Sequence, residues 1–326
     1  MRYRPATAAD IDAVASLIVP DPASPLTAEA YRRRLGNGEY RPERTWLAES
    51  SGEVQAAAIW WGRPDDPAPD VLDAVLASPG LASAGLPRDQ RALVLAELLV
   101  QAHAAFRRDF SRTAPAYHLF LPPDWRSRRE VTGALSWRWQ AALAAGLTGE
   151  LERLRFAWYR GDVARVPTSG RLVFRREPDD EVFADLFRRT LVGTLDATTR
   201  NTAAAIGAAA AARADMVFYR DRMRGDRGWW LVASLPDGEP VGFGIPTRNH
   251  DVAVVGYIGV LPEHRGHGYI DDILAETTRV LVTEAGAHVI HADTDLANRP
   301  MAAAFERAGY VSTSRRVVLS APIIPG

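Results

Sequence analysis

The residues whose types and spacing could do chemistry lie between Val252 and Tyr310. Val252 to Val260 is rich in β-branched residues and predicts a buried strand. It runs into Leu261-Pro262-Glu263-His264-Arg265-Gly266-His267-Gly268-Tyr269-Ile270. An amphipathic helix pattern follows from Asp271 to Glu284, with Ile273, Leu274, Thr277, Val280 and Leu281 on one side. A strand, an Arg/Gly turn and a helix start make an anion site by simple physics. The amides from Arg265 to Ile270 have no carbonyl of the coming helix to donate to, and they sit at the positive end of its dipole. The two glycines let a ligand approach the backbone closely. Arg-Gly-x-Gly alone also describes many ordinary turns. Asp271 and Asp272 suit the helix dipole, yet they would repel a phosphate and are expected to face away from it. His264 and His267 stand at an H-x-x-H spacing without a third ligand, so solvated loop residues are expected there and no metal.

Further on, His291-Ala292-Asp293-Thr294-Asp295 alternates polar and small residues as a half-exposed strand would, which puts His291, Asp293 and Asp295 on one face. Two such carboxylates could bind a cationic amine and accept its proton, directly or through water. The alternative is a solvated strand face, or a cap for the next helix.

Other chemistries are excluded outright. The 326 residues include no cysteine, which removes disulfides, thiolate zinc sites and cysteine nucleophiles. There is no lysine either, all 39 Lys/Arg positions being arginine, so Schiff-base chemistry and a P-loop lysine are removed too. A net charge of −1 gives no general attraction to nucleic acid or anionic lipid. No apolar stretch follows Met1-Arg2-Tyr3-Arg4-Pro5, and the mostly alanine run Asn201 to Ala212 is too short to span a bilayer. A cytoplasmic protein is expected, with no nucleic-acid or membrane partner.

The elements that must position these residues read as two copies of one plan. Trp46-Leu47-Ala48-Glu49-Ser50-Ser51-Gly52-Glu53 and Trp230-Leu231-Val232-Ala233-Ser234 with Pro236-Asp237-Gly238-Glu239 each open a hairpin. A strand and a helix precede each: Arg2 to Arg4 and Asp10 to Val19, then Leu172 to Phe174 and a helix opening near Asp179. Each copy closes on a glycine helix cap, Ala145-Gly146-Leu147 or Ala308-Gly309-Tyr310, and a strand, Leu151 to Trp158 or Arg315 to Leu319. The polar stretch Gly161 to Gly170 separates them, which gives domains of 1–162 and 170–326.

Val260-x-Pro262-Glu263-x-Arg265-Gly266-x-Gly268 after a strand, with Asn298 downstream and Phe305-Glu306-Arg307-Ala308-Gly309-Tyr310 behind it, resembles the GNAT superfamily of acyl-coenzyme A-dependent N-acyltransferases. The likeness covers Arg171 to Ser320. It implies an α/β (α+β) chain of two tandem domains, each a mixed, mostly antiparallel sheet flanked by helices and splayed open beside the strand. It implies acetyl-coenzyme A as co-substrate. Amides from Arg265 through Gly266, His267, Gly268 and Tyr269 to Ile270 would wrap the pyrophosphate, and the strand end Ile258-Gly259-Val260 would pair with the pantetheine arm. Asn298 would hydrogen-bond the pantetheine or its phosphate end, and the helix carrying Phe305 would flank the cofactor.

Three departures from the family pattern matter. Ile270 stands where glycine or alanine is usual. Phe305 replaces a common tyrosine acid, and Gly256 a common glutamate base. Asp293 is then the first choice for base, Asp295 the second, and Tyr257 an acid through its phenol unless it merely packs. The first half carries no Arg-x-x-Gly-x-Gly where the motif should fall, Pro79 to Gln90, and is expected not to bind coenzyme A. Trp60-Trp61, Trp125, Trp137 and Trp139 either line an acceptor pocket or form its core. The expected function is acyl transfer to a primary amine of a small molecule or peptide by a monomer or homodimer. The alternatives are a non-catalytic acyl-CoA-sensing module and a transferase using a longer or carrier-protein-bound acyl chain.

Overall fold

The computed structural model describes residues 1–83, 89–110, 113–161 and 170–322. The segment around Gly85 and the expected linker at 162–169 lie outside them. In chain order the elements are β1 (Arg2–Pro5), α1 (Ile11–Leu17), α2 (Ala28–Gly36), β2 (Thr45–Ser50), β3 (Glu53–Trp61), β4 (Val71–Ala77), α3 (Pro79–Ser83), α4 (Asp89–Phe110), β5 (Tyr117–Leu121), α5 (Arg129–Ala144) and β6 (Gly149–Tyr159). They continue with β7 (Val173–Arg176), α6 (Asp180–Thr190), α7 (Ala197–Ile206), α8 (Ala208–Asp221), β8 (Leu231–Ser234), β9 (Pro240–Arg248), β10 (Ala253–Val260), α9 (Tyr269–Thr283), β11 (Val289–Asp295), α10 (Arg299–Arg307) and β12 (Val311–Ser320). The two hairpins, the helix after the glycine turn and both closing strands stand where the sequence pattern placed them. Among the described residues no helix is long and apolar enough to cross a membrane.

Two compact units form, and they are not the contiguous halves 1–162 and 170–326. The first is Met1–Glu152 with Arg315–Pro322, and the second contains Arg153–Ser314. The closing strands have changed places. In the first unit the strand order is β1-β2-β3-β4-β5-β12, and in the second β7-β8-β9-β10-β11-β6. Thus β12 pairs antiparallel with β5, Val317 opposite Leu119, while β6 pairs antiparallel with β11, Phe156 opposite Ala292. A repeat in sequence shows that each copy needs a last strand. It does not show which copy supplies it.

Each sheet is antiparallel except at one joint, where β4 meets β5 or β10 meets β11 in parallel. Pairing there is brief: Leu72 with Tyr117 in the first unit, and Ala253 with Ile290 and Val254 with His291 in the second. Beyond those residues both sheets splay, as expected. Each strand before the splay carries a bulge, Asp73 in β4 and Gly256 in β10, where the register against β3 or β9 slips.

The first unit fills its splay with protein. Arg138 of α5 is 3% exposed. Its Nε donates to the Val75 carbonyl on β4 at 3.2 Å, its Nη2 to Asp21 at 2.6 Å, and its guanidinium lies 4.1 Å from the Trp137 ring centroid. Asp73 accepts hydrogen bonds from Arg34 Nη1 at 2.6 Å and from the Tyr40 hydroxyl. Trp60, Trp125 and Trp137 are buried in the apolar core of this unit, with Val317 and Leu319 of β12 beside them. The core reading of these tryptophans is the one the structure takes.

In the second unit the sheet has an apolar layer on each face. Phe183 and Phe187 of α6 and Met216 of α8 pack on Val232, Phe243 and Ile245. Leu274 and Leu281 of α9 pack with Phe156, Trp158 and Ile290. Ile273, Leu274, Thr277, Val280 and Leu281 are all fully buried, the helix stripe read from the sequence.

Candidate acyl-transfer site

The site is built on the open edge of β10. Pairing with β9 continues to Val260 opposite Gly242, whereas pairing with β11 stops at Val254. Among the described residues, therefore, no strand pairs with Ile258, Gly259 and Val260 on the β11 side. Such an edge accepts an extended ligand by main-chain hydrogen bonds.

Past Val260 the chain makes a short 3₁₀ turn, Pro262–His264, and enters α9 through Gly266 (φ 83°) and Gly268 (φ 74°, the N-cap). Both glycines are in the left-handed region, where a Cβ would be strained. A Cβ at Gly266 would meet nothing within 4 Å, so this face of the turn is open. Helix geometry leaves the Tyr269 and Ile270 amides without a carbonyl of their own helix, and the first backbone bond there runs from Asp271 N–H to the Gly268 carbonyl at 3.1 Å.

Two guanidinium groups hold the turn. Arg265 donates to the carbonyls of Val260 at 3.1 Å, Val192 at 2.6 Å and Thr190 at 3.0 Å. Its side chain thus ties the end of β10 to the C-terminal turn of α6, where carbonyls lack helical partners. Arg171 donates to the His267 and Gly268 carbonyls at 3.0 and 3.3 Å and pairs with the buried Asp272 at 2.5 Å. Asp271 pairs with Arg307 at 2.7 Å. Both carboxylates at the helix start are therefore paired with guanidinium groups. His267 stacks on Tyr269 with ring centroids 5.7 Å apart, and His264 lies 3.3 Å from Glu239. Among the described residues no group of three His, Cys, Asp or Glu could hold a metal.

Other expected site residues sit differently. Asn298 is the N-cap of α10, its Oδ1 accepting from Met301 N–H at 3.3 Å, so its carbonyl end is engaged. Phe305 is 2% exposed, its ring packed against Phe156 and Tyr310 at 5.2 and 5.3 Å. Its ring is part of the core of the second unit. Tyr257 packs among Phe187, Phe243 and Tyr219, and burial pushes its phenol up to about 12.

The two carboxylates first chosen as bases are committed elsewhere. Asp293 takes a paired hydrogen bond from Arg155 at 2.9 and 3.0 Å. Asp295 lies 2.9 Å from Arg153 Nε and accepts from the Ala197 amide at 2.6 Å. Both arginines come from β6, the exchanged strand, opposite Asp293 and Asp295 in register. Burial raises Asp295 above the usual carboxylate range and lowers His291 below the usual imidazole range.

Gly256 is a glycine for steric reasons. A Cβ there would lie 2.7 Å from Thr247 Cγ2, 3.0 Å from the Ile245 carbonyl and 3.1 Å from Tyr219 Cε1. The Tyr219 hydroxyl donates to the Gly256 carbonyl at 2.8 Å, so tyrosine stands where a strand glutamate would. Gly256→Glu should therefore destabilise the chain by about 1–3 kcal/mol through overpacking, lowering the melting temperature by roughly 2–4 °C per kcal/mol. A melting curve matching the unsubstituted protein would show room that the structure denies.

Sequence reasoning missed Asp215 and Tyr219, one turn apart on α8. Asp215 is half-buried, and burial, with Asp196 nearby, pushes its carboxyl up to about 6. The only signal was an i, i+4 spacing in an alanine-rich helix.

Residues 203–310 match the family model described as the acetyltransferase (GNAT) family. No curated protein matches the chain. Among solved structures, a GCN5-related N-acetyltransferase from Sphaerobacter thermophilus is similar at 18% identity and a TM-score of 0.57, over 100% of this chain and 96% of that one. A tandem GNAT protein from the clavulanic acid biosynthesis pathway is similar at 18% identity and a TM-score of 0.52, over 100% and 99%. A glucosamine N-acetyltransferase region of a fungal multi-domain β-N-acetylglucosaminidase gives 15% identity and a TM-score of 0.52, over 97% of this chain and 38% of that one. These likenesses carry the fold, and the family match falls on the segment that holds the glycine turn. Residues 203–310 thus form an acetyltransferase domain of the GNAT family, a family of acyl-CoA-dependent N-acyltransferases, in a chain with the fold of the tandem GNAT proteins.

Proposed function

We propose that the chain transfers an acetyl or other short acyl group from acyl-coenzyme A to a primary amine of a small molecule or peptide, using one site, in the second unit. The observation that carries this reading is the unpaired edge of β10 leading straight into a left-handed glycine turn and a helix N-terminus. An extended arm suits the edge, and a pyrophosphate suits the amides from Gly266 to Ile270, since the face at Gly266 is open. Acyl-coenzyme A, when bound, supplies the thioester as acyl donor. Arg265 and Arg171 keep the turn in shape by holding its carbonyl side, and a strand amide near Val260 polarises the acyl carbonyl. Tyr257 keeps its proton at neutral pH and is the proton donor.

The first unit is inert toward the cofactor in this reading. It has no glycine turn in the described residues, and Arg138 occupies the Val75 carbonyl on the edge equivalent to that of β10. Calorimetry should find one acetyl-coenzyme A per chain, and two equivalent sites would overturn that assignment. Release of free thiol, measured over a panel of peptide N-termini, polyamines and amino sugars, tests the activity. Binding without thiol release for any amine would leave a sensing module. Release only from long-chain or carrier-bound donors would move the substrate class.

A further inference from the structure

We propose that Asp215 is the general base of this site, taking the proton from the acceptor ammonium in place of a strand glutamate. The inference rests on the acyl-transfer reading and concerns which group makes the amine nucleophilic.

The geometry points to α8 by exclusion and by position. No side chain fits at Gly256, and Asp293 and Asp295 are tied to Arg155 and Arg153. Asp215 lies one turn before Tyr219, whose hydroxyl holds the bulge carbonyl of β10 at 2.8 Å, so the carboxyl is on the helix face turned toward the bulge. It interacts electrostatically with Tyr219 and with Tyr257 of β10. Its own hydrogen bond is to the side chain of Thr199, a buried residue in the first turn of α7. Among the described residues no guanidinium is paired with it, unlike Asp196, which Arg153 contacts at 3.2 Å.

The charged and titratable groups around it are then Asp196 ahead of α7, Tyr219 on α8, Tyr257 on β10 and Arg153 on β6, which also acts on Tyr219. A half-buried carboxyl near another carboxylate attracts a cation and holds its proton more tightly than an exposed aspartate. Both properties suit a base for an amine. The step balances simply. Asp215 takes one proton from the ammonium nitrogen, whose exposed lone pair forms the N–C bond. The C–S pair leaves on sulfur, Tyr257 protonates that sulfur, and the second nitrogen proton returns to the phenolate through solvent.

The test uses the full chain, acetyl-coenzyme A and whichever amine gives the fastest thiol release. Asp215→Asn should keep acetyl-coenzyme A affinity within about twofold by calorimetry, while the rate falls by about 10²–10⁴. The wild-type rate should fall below pH 6 as the carboxyl protonates, and this acidic limb should be lost in Asp215→Asn. Asp215→Glu should restore part of the rate and the limb. If Asp215→Asn keeps both its rate and the acidic limb, the assignment is wrong while the acyl-transfer reading stands. Wild-type protein that binds acetyl-coenzyme A yet acylates no amine overturns both.

Discussion

Gly268→Glu should abolish acetyl-coenzyme A binding, weakening it by more than about a hundredfold, because it puts bulk and negative charge where the pyrophosphate is proposed to lie. The backbone at Gly268 is left-handed, so any L-residue there costs about 1–2 kcal/mol. That is a drop of several degrees in melting temperature at most, and the fold should survive. Gly268→Ala carries the same strain without the charge and separates the two effects. It should melt like Gly268→Glu but retain most of the affinity. Calorimetry on both variants decides the matter. Unchanged affinity in Gly268→Glu would mean that the anion site lies elsewhere in the chain.

A fragment ending at residue 162, the boundary that the repeat suggests, should fail to fold on its own. It keeps β6, whose partner β11 it lacks, and it loses β12, which closes the sheet beside β5. Val317 and Leu319 are fully buried in the core of the first unit. Removing them forfeits about 1.5–3 kcal/mol each and leaves β5 as an uncovered edge prone to association. Against a total stability of 5–15 kcal/mol for an ordinary domain, that loss is decisive. Circular dichroism and urea titration should show a broad or absent transition. Adding a peptide of residues 311–322 should sharpen it. A cooperative transition in the bare fragment would show that the exchange of strands is dispensable.

Much of this was legible in the sequence, because local physics fixes it. The glycine turn, the buried stripe of α9 and the two hairpins follow from spacing alone. The partners of Asp293 and Asp295 were not legible, and the reason is topological. Arg153-x-Arg155 and Asp293-x-Asp295 carry complementary charge at the same period, but only strand exchange makes β6 and β11 neighbours. Read within contiguous halves, the aspartates looked unpartnered. The core setting of Phe305 was hidden for a related reason, since its neighbour Phe156 comes from the same exchanged strand. Asp215 was hidden because its environment is assembled from α7, α8 and β10, which no single window of sequence brings together.

The clamps on the glycine turn have a chemical consequence. In a protein proposed to bind an acyl thioester, an amine on a flexible stem holding these backbone carbonyls would itself be a nucleophile open to acylation. Arg265 and Arg171 do the holding with guanidinium groups, which stay protonated and offer no lone pair at neutral pH. The same holds along the whole chain, since none of its 326 residues is a lysine or a cysteine. On the proposed reading, a reactive acyl donor would therefore meet no side-chain amine or thiol of this chain to modify.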